Sequence, residues 1–169
     1  MTRFVKKYFS ILIIIIIFEG CGIYTFSGAS IDPRDKTVSV KKFPNRAPIV
    51  NPTLSRNFTQ KLEDRLTSQT SLSLTRSDGD LQFEGEIIDY STTPIAITQG
   101  QKSATTRLTV IIKVKFISIN KPELNFEESF SKFADFSANE NLSSVEATLT
   151  EDIIEQLTDE IFKKALSNW

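Results

Sequence analysis

The chain has 169 residues, 20 Lys+Arg against 21 Asp+Glu, one cysteine and no histidine, which excludes a histidine-based catalytic triad, an imidazole base, a His-containing zinc site and an internal disulfide. A formal net charge of -1 gives no electrostatic case for nucleic acid, whose phosphates demand an excess of Lys and Arg. With 24% charged and 40% hydrophobic residues the composition is that of one globular domain able to bury its own core, and no cofactor is implied.

Residues 1–20 read as a signal peptide: Arg3, Lys6 and Lys7 precede an apolar run from Phe9 to Phe18 that Ser10 alone interrupts. About 20 apolar residues are needed to span a bilayer, and this run stops at Glu19 after half that number. Cys21 stands where a signal peptidase would cut. Gly20-Cys21 resembles a bacterial lipobox, although Phe18 and Glu19 depart from its usual residues. That resemblance implies that Cys21 is acylated and becomes a membrane anchor, with delivery to the outer membrane because no Asp follows it. Cleavage would remove Arg3, Lys6, Lys7 and Glu19 and leave 17 basic against 20 acidic residues, a formal charge of -3.

Residues 21–35 form a Gly- and Ser-containing tether that leaves Tyr24 and Phe26 free to dock on a neighbour or on the domain itself. Residues 36–169 are read as a single domain. Val38 and Val40 alternate in a first strand from Thr37 to Phe43, ended by Pro44 and Pro48 with Arg46 at the loop tip. Asn51-Pro52 predicts a helix start, and Leu54, Phe58, Leu62 and Leu66 form one apolar stripe behind it. Ser71 to Thr75 is a short strand with Leu72 and Leu74 on one face, and Ser77-Asp78-Gly79-Asp80 reads as a hairpin turn. Leu81 to Thr92 points Leu81, Phe83, Gly85 and Ile87 inward, with a shift at Ile87-Ile88 that suggests a bulge.

Thr93 to Thr105 is expected to be a long polar loop containing Lys102. Arg107 to Ile119 alternates most cleanly, with Leu108, Val110, Ile112, Val114 and Phe116 inward. Asn125 to Phe136 is a further strand lined by Phe126, Phe130, Phe133 and Phe136 with a slip in parity. Ser143 to Glu146 has capping-box spacing and opens a last helix striped by Val145, Leu149, Ile153, Leu157 and Ile161. The order β-α-β-β-β-β-α predicts an α+β two-layer sandwich, two amphipathic helices on one face of a mixed or antiparallel sheet of four to five strands.

Catalytic residues and a metal site are not found. Glu84 and Glu86 share a strand face at roughly 7 Å, a spacing a glycosidase pair could use, yet a solvated sheet face explains them better. The Ser-x-x-Lys pairs Ser39/Lys42, Ser118/Lys121 and Ser129/Lys132 fall on or beside strands, where residues three apart face opposite ways. Lys41, Lys42 and Arg46 around the first loop, and Lys102 and Arg107 around the long one, could meet phosphorylated headgroups through charge-assisted hydrogen bonds.

Cys21 to Ser30, Asn51 to Ser55, Gly79 to Gly85, Ile88 to Thr92, Ala134 to Phe136 and Ala165 to Trp169 together resemble the LptE-like family of lipopolysaccharide-assembly lipoproteins. The resemblance implies a non-catalytic subunit of the outer-membrane translocon. Its partners would be a large LptD-like β-barrel, which it plugs, and lipopolysaccharide. It would sit on the periplasmic face of the outer membrane, lipid-anchored through Cys21. Candidate contact residues are Lys102, Arg107 and Arg46, and the family's basic contact residues match no motif here. A free-standing lipoprotein with a lipid-binding or structural role is the alternative.

Overall fold

The computed structural model describes residues 31–49, 51–95 and 104–167. Five strands, β1 (Thr37–Val40), β2 (Ser73–Thr75), β3 (Leu81–Ile95), β4 (Thr105–Ser118) and β5 (Phe126–Ser137), form one sheet in the order β2-β1-β3-β4-β5. Helices α1 (Leu54–Gln69) and α2 (Leu142–Leu166) cover one face of it, and a 3-10 turn at Pro122–Leu124 joins β4 to β5. This is the expected α+β two-layer sandwich with a mixed sheet. The signal peptide, Cys21, the tether up to Ser30 and Lys102 lie outside the described residues.

The core forms where the stripes of the helices meet the inward residues of the strands. Leu54, Phe58, Leu62 and Leu66 of α1 are fully buried, as are Ile153, Leu157 and Ile161 of α2 and Leu108, Val110, Ile112 and Val114 of β4. Burial of each such side chain contributes about 1.5–3 kcal/mol. Phe43, just past β1, fills the space beneath α1 with its ring edge-on to Phe58 at 5.0 Å between centroids. Its buried backbone is satisfied by α1, since Thr59 Oγ1 accepts from Phe43 N–H and the Ser55 hydroxyl donates to its carbonyl. Gly85 lies against the same ring: a Cβ there would come within 2.0 Å of the Lys113 carbonyl oxygen and 2.7 Å of Phe43. No larger residue fits.

Several expectations are corrected. Ser77–Asp80 is not a hairpin turn, because β2 and β3 each pair in parallel with β1, which lies between them. The connection instead crosses over β1. Gly79 passes so close that a Cβ would meet Ser39 N at 2.6 Å, its N–H donates to Ser39 Oγ, and Asp78 takes a positive φ of 56° to make the bend. The Asp80 carboxylate then pins the crossing by accepting from the backbone N–H groups of Lys36 and Thr37 and from the Thr37 hydroxyl.

The first strand ends at Val40, before Phe43, and Pro52 precedes the first turn of α1, whose start is held by Asn51 Oδ1 accepting from Thr53 and Leu54 N–H. Leu74 is in register with Val38 but 44% exposed, since β2 is the sheet's edge, whereas Leu72 is buried. The long polar loop is shorter than expected: Thr93, Pro94 and Ile95 stay in register with Arg107, Thr106 and Thr105. Pro94 is tolerated because β1 no longer accompanies β3 there, and among the described residues no strand pairs with β3 on that side. The bulge at Ile87–Asp89 is present. No slip interrupts β5, whose ladder with β4 is continuous, so Phe126, Phe130, Ala134 and Phe136 pack inward and Phe133 points to the opposite face.

The cap of α2 is Asn141, whose side chain accepts from Ser143 N–H, and not Ser143. Glu146 is thereby free for another task. It accepts from the Tyr90 hydroxyl and, at 2.9 Å, from Asn51 Nδ2, tying the long strand and the starts of both helices together. Burial first, and the neighbouring Glu146 carboxylate second, push the Tyr90 phenol above its ordinary range, so it is the donor in this cluster.

Candidate functional site

Among the described residues, the sheet face opposite the helices is covered only where the Ser77–Asp80 crossing lies on β1. Strand alternation puts Glu84 and Glu86 of β3, Lys113 and Lys115 of β4, and Glu127 of β5 on this face. They neutralise one another across the ladder. Glu84 takes Lys41 at 2.8 Å and Lys115 at 3.3 Å, and Lys113 reaches Glu127 at 2.5 Å. The hydrogen bond from Lys41 above all holds the Glu84 carboxyl below its usual range. A glycosidase acid needs the reverse, a carboxyl whose proton is retained near neutral pH. Glu84 thus belongs to a paired, solvated lattice, and Glu86 stands in register opposite Lys113 on the same face. Groups of three or more His, Cys, Asp or Glu arranged for a metal ion do not occur among the described residues.

Further along the same face, β3, β4 and β5 run on together past Tyr90 and Leu108 as an arm of the sheet, and the β3 side chains from Thr92 to Pro94 are exposed. Arg107 stands here, opposite Thr93 on one side and Asp135 of β5 on the other. Its guanidinium forks onto Asp135, Nε to Oδ1 at 2.7 Å and Nη2 to Oδ2 at 2.9 Å, and lies 3.5 Å above the centre of the Phe133 ring. Arg107 hydrogen bonding is what chiefly lowers the Asp135 carboxyl. Phe133, 48% exposed, displays an aromatic ring on a face that also carries the half-buried Ile111 and Ile117 of β4.

Among the described residues, the sequence-predicted basic side chains do not converge. Arg46 is exposed in the loop after β1 and fixed by its backbone N–H to the Ile87 carbonyl, while Arg107 pairs with Thr93, six residues further along β3. At the rise of a strand that is roughly 20 Å. Lys41 is committed to Glu84, and Lys42 is exposed beside it. Asp135 and Phe133 were not foreseen as part of the Arg107 cluster; the one available signal was Phe133 itself, out of phase with the inward alternation of its strand.

A second concavity, about 540 Å³, runs between the helices, lined by Asn51, Arg56, Asn57, Gln60 and Glu151 with Ala147 and Ile154 at its floor. The helices below it are joined by Arg65, which is buried and donates to Glu155 and, at 3.0 Å, to Asp159. No helix among the described residues is long and apolar enough to cross a membrane.

These features define a two-layer α+β domain whose helix-free sheet face carries paired charges, with β3, β4 and β5 running on past Tyr90 and Leu108. The chain belongs to the LptE, lipopolysaccharide-assembly, family, whose model matches residues 36–165. It shares its fold with a minor lipoprotein of Acinetobacter baumannii at 12% identity and a TM-score of 0.52, covering 76% of this chain and 91% of that one. A hypothetical protein of Chlamydia trachomatis is similar at 11% identity and TM-score 0.55, covering 79% and 99%. An uncharacterized lipoprotein B of Nitrosomonas europaea is similar at 12% identity and TM-score 0.50, covering 85% and 88%. No curated protein matches the chain in sequence.

Proposed function

We propose that this chain is a lipid-anchored, non-catalytic subunit of the lipopolysaccharide-assembly machinery of the outer membrane, held on its periplasmic face by acyl chains on Cys21 and docked as a plug in a large LptD-like β-barrel. The observation that carries the reading is the family match over residues 36–165. A charge-paired, hydrated sheet face supports it, because the lumen of a large membrane barrel is polar and accepts such a surface without desolvating unpaired charge. The self-neutralised carboxylates support the absence of catalysis.

Within this reading the far end of β3 and β4 meets lipopolysaccharide. Arg107 with the Phe133 ring offers a cationic donor beside an apolar surface, the combination that suits a phosphorylated, acylated ligand, and Lys102, in the sequence between β3 and β4, would add a second cation. Arg46, about 20 Å away along the sheet, would contact the barrel or a different part of the ligand. The test is capture of lipopolysaccharide by the purified protein. Lys102→Ala combined with Arg107→Ala is expected to lower capture, and Arg46→Ala to leave it less affected. Equal capture by wild type and the double variant removes the arm from the ligand site.

A further inference from the structure

We infer that β5 is a pairing edge for a second copy of this chain, the two β5 strands running antiparallel about a two-fold axis at Phe130 and joining two five-stranded sheets into one. The strand closes one side of the order β2-β1-β3-β4-β5, and among the described residues no strand pairs with its outer side. It is long for an edge, 12 residues against the three of β2 on the other side, and no proline or bulge interrupts its ladder with β4. Such an edge presents a row of outward-pointing backbone N–H and C=O groups to another strand.

Geometry and charge together select the register. Along an antiparallel strand, residues bonded to one neighbour alternate with residues whose backbone groups point the other way. Two copies of β5 therefore meet like parity to like parity, which puts the two-fold axis on a residue and not between two. An axis at Ser131 sets Glu127 opposite Asp135, one at Lys132 or Glu128 sets that charge opposite itself, and one at Ser129 leaves Glu128 opposite Phe130. The axis at Phe130 sets Glu128 opposite Lys132 twice and Ser129 opposite Ser131 twice, with opposed Cβ atoms about 5 Å apart. Charges on an edge strand ordinarily block pairing. Here the two signs stand symmetrically about Phe130, so a second copy matches them and an unrelated strand does not.

The helix layer agrees with this axis. Lys132 pairs with Glu160 of α2 at 2.8 Å and Glu128 with Lys164 at 2.9 Å, all four side chains being partly exposed. The two-fold brings Lys132 and Glu160 of one protomer beside Glu128 and Lys164 of its partner, so charges of alternating sign cross the seam. On the other face Glu127, already paired with Lys113, comes opposite Phe133 and the Arg107 guanidinium that lies over it. The pairing is a property of the chain itself and stands apart from the barrel reading.

The test is the mass of the purified full-length protein by sedimentation equilibrium in density-matched detergent, for wild type, Glu128→Lys and Lys132→Glu. Wild type is expected as a dimer. Each variant places two like-charged pairs across the seam and is expected as a monomer at the same concentration, with its far-UV circular dichroism kept because the side chain is at the surface. In an equimolar mixture of the two variants, a heterodimer regains opposite charges at both pairs, and the dimer mass is expected to return. That recovery separates pairing across the seam from repulsion against α2 within each chain. A monomeric wild type, a dimer that persists in either variant alone, or a mixture that stays monomeric overturns the proposal.

Discussion

Arg107 and Asp135 face each other across the β4–β5 ladder and close a two-pronged ion pair on the open sheet face, with the guanidinium lying flat on Phe133. The pair makes Arg107 a compensated cation: its plane is fixed by Asp135, and an incoming anion must share it with that carboxylate. Asp135→Asn is therefore expected to raise lipopolysaccharide capture above wild type, and Arg107→Ala to lower it, with both thermal midpoints close to wild type because the pair is solvent-exposed. If Asp135→Asn lowers capture as much as Arg107→Ala, the pair acts by positioning the strand and not by supplying charge.

The core joins sheet and helices through a small number of fully buried side chains, Phe58 and Leu62 of α1 among them. Leu62→Ala is expected to cost about 2–5 kcal/mol and Phe58→Ala about 3–5 kcal/mol, by lost transfer energy plus the cavity left behind. Chemical denaturation of the domain measures both. A loss under about 1 kcal/mol for either would mean that α1 does not pack on the sheet as described.

Gly85→Ala is expected to destabilise the domain by at least the 1–3 kcal/mol or so of an overpacked core. The Phe43 ring can be made smaller, but the Lys113 carbonyl is backbone paired in the ladder and cannot move aside. Phe43→Leu in the Gly85→Ala background should therefore fail to restore the lost stability. Full rescue would show that the ring alone demands glycine.

Asp80 holds the crossing of β1, and the N–H groups of Lys36 first, with the Thr37 hydroxyl and N–H, depress its carboxyl below the ordinary 3.8. A carboxyl depressed in the folded state contributes stability that is full above its unfolded pKa and is lost as pH falls through the folded one. Asp80→Asn should thus melt below wild type at pH 7, with the gap closing as pH drops below about 4. Melting curves in which the gap is constant from pH 7 to strong acid would contradict this linkage.

The stripe of α1 and the alternation of β4 were legible because period 3.6 and period 2 are local: Leu54 through Leu66 and Leu108 through Phe116 state their buried faces without reference to any partner. What stayed hidden depends on which strands become neighbours. Ser77-Asp78-Gly79-Asp80 has the residues of a hairpin turn, and only the insertion of β1 between β2 and β3 turns it into a crossing. Phe133 resembled a core residue because the sequence contains so much Phe, and its outward position is set by the uninterrupted register with β4. Asn141 outcompeted Ser143 as a cap since Glu146 is drawn to Tyr90 and Asn51, both distant in sequence. The Arg107–Asp135 pair is likewise a product of register, 28 residues apart along the chain.

The central claim, a lipoprotein subunit seated in a barrel, is tested most directly by purifying the full-length protein from outer membranes through a C-terminal affinity tag and weighing what accompanies it. The account predicts one large β-barrel protein in stoichiometric amount, with the chain itself beginning at an acylated Cys21. A chain recovered alone from the same membranes would contradict it.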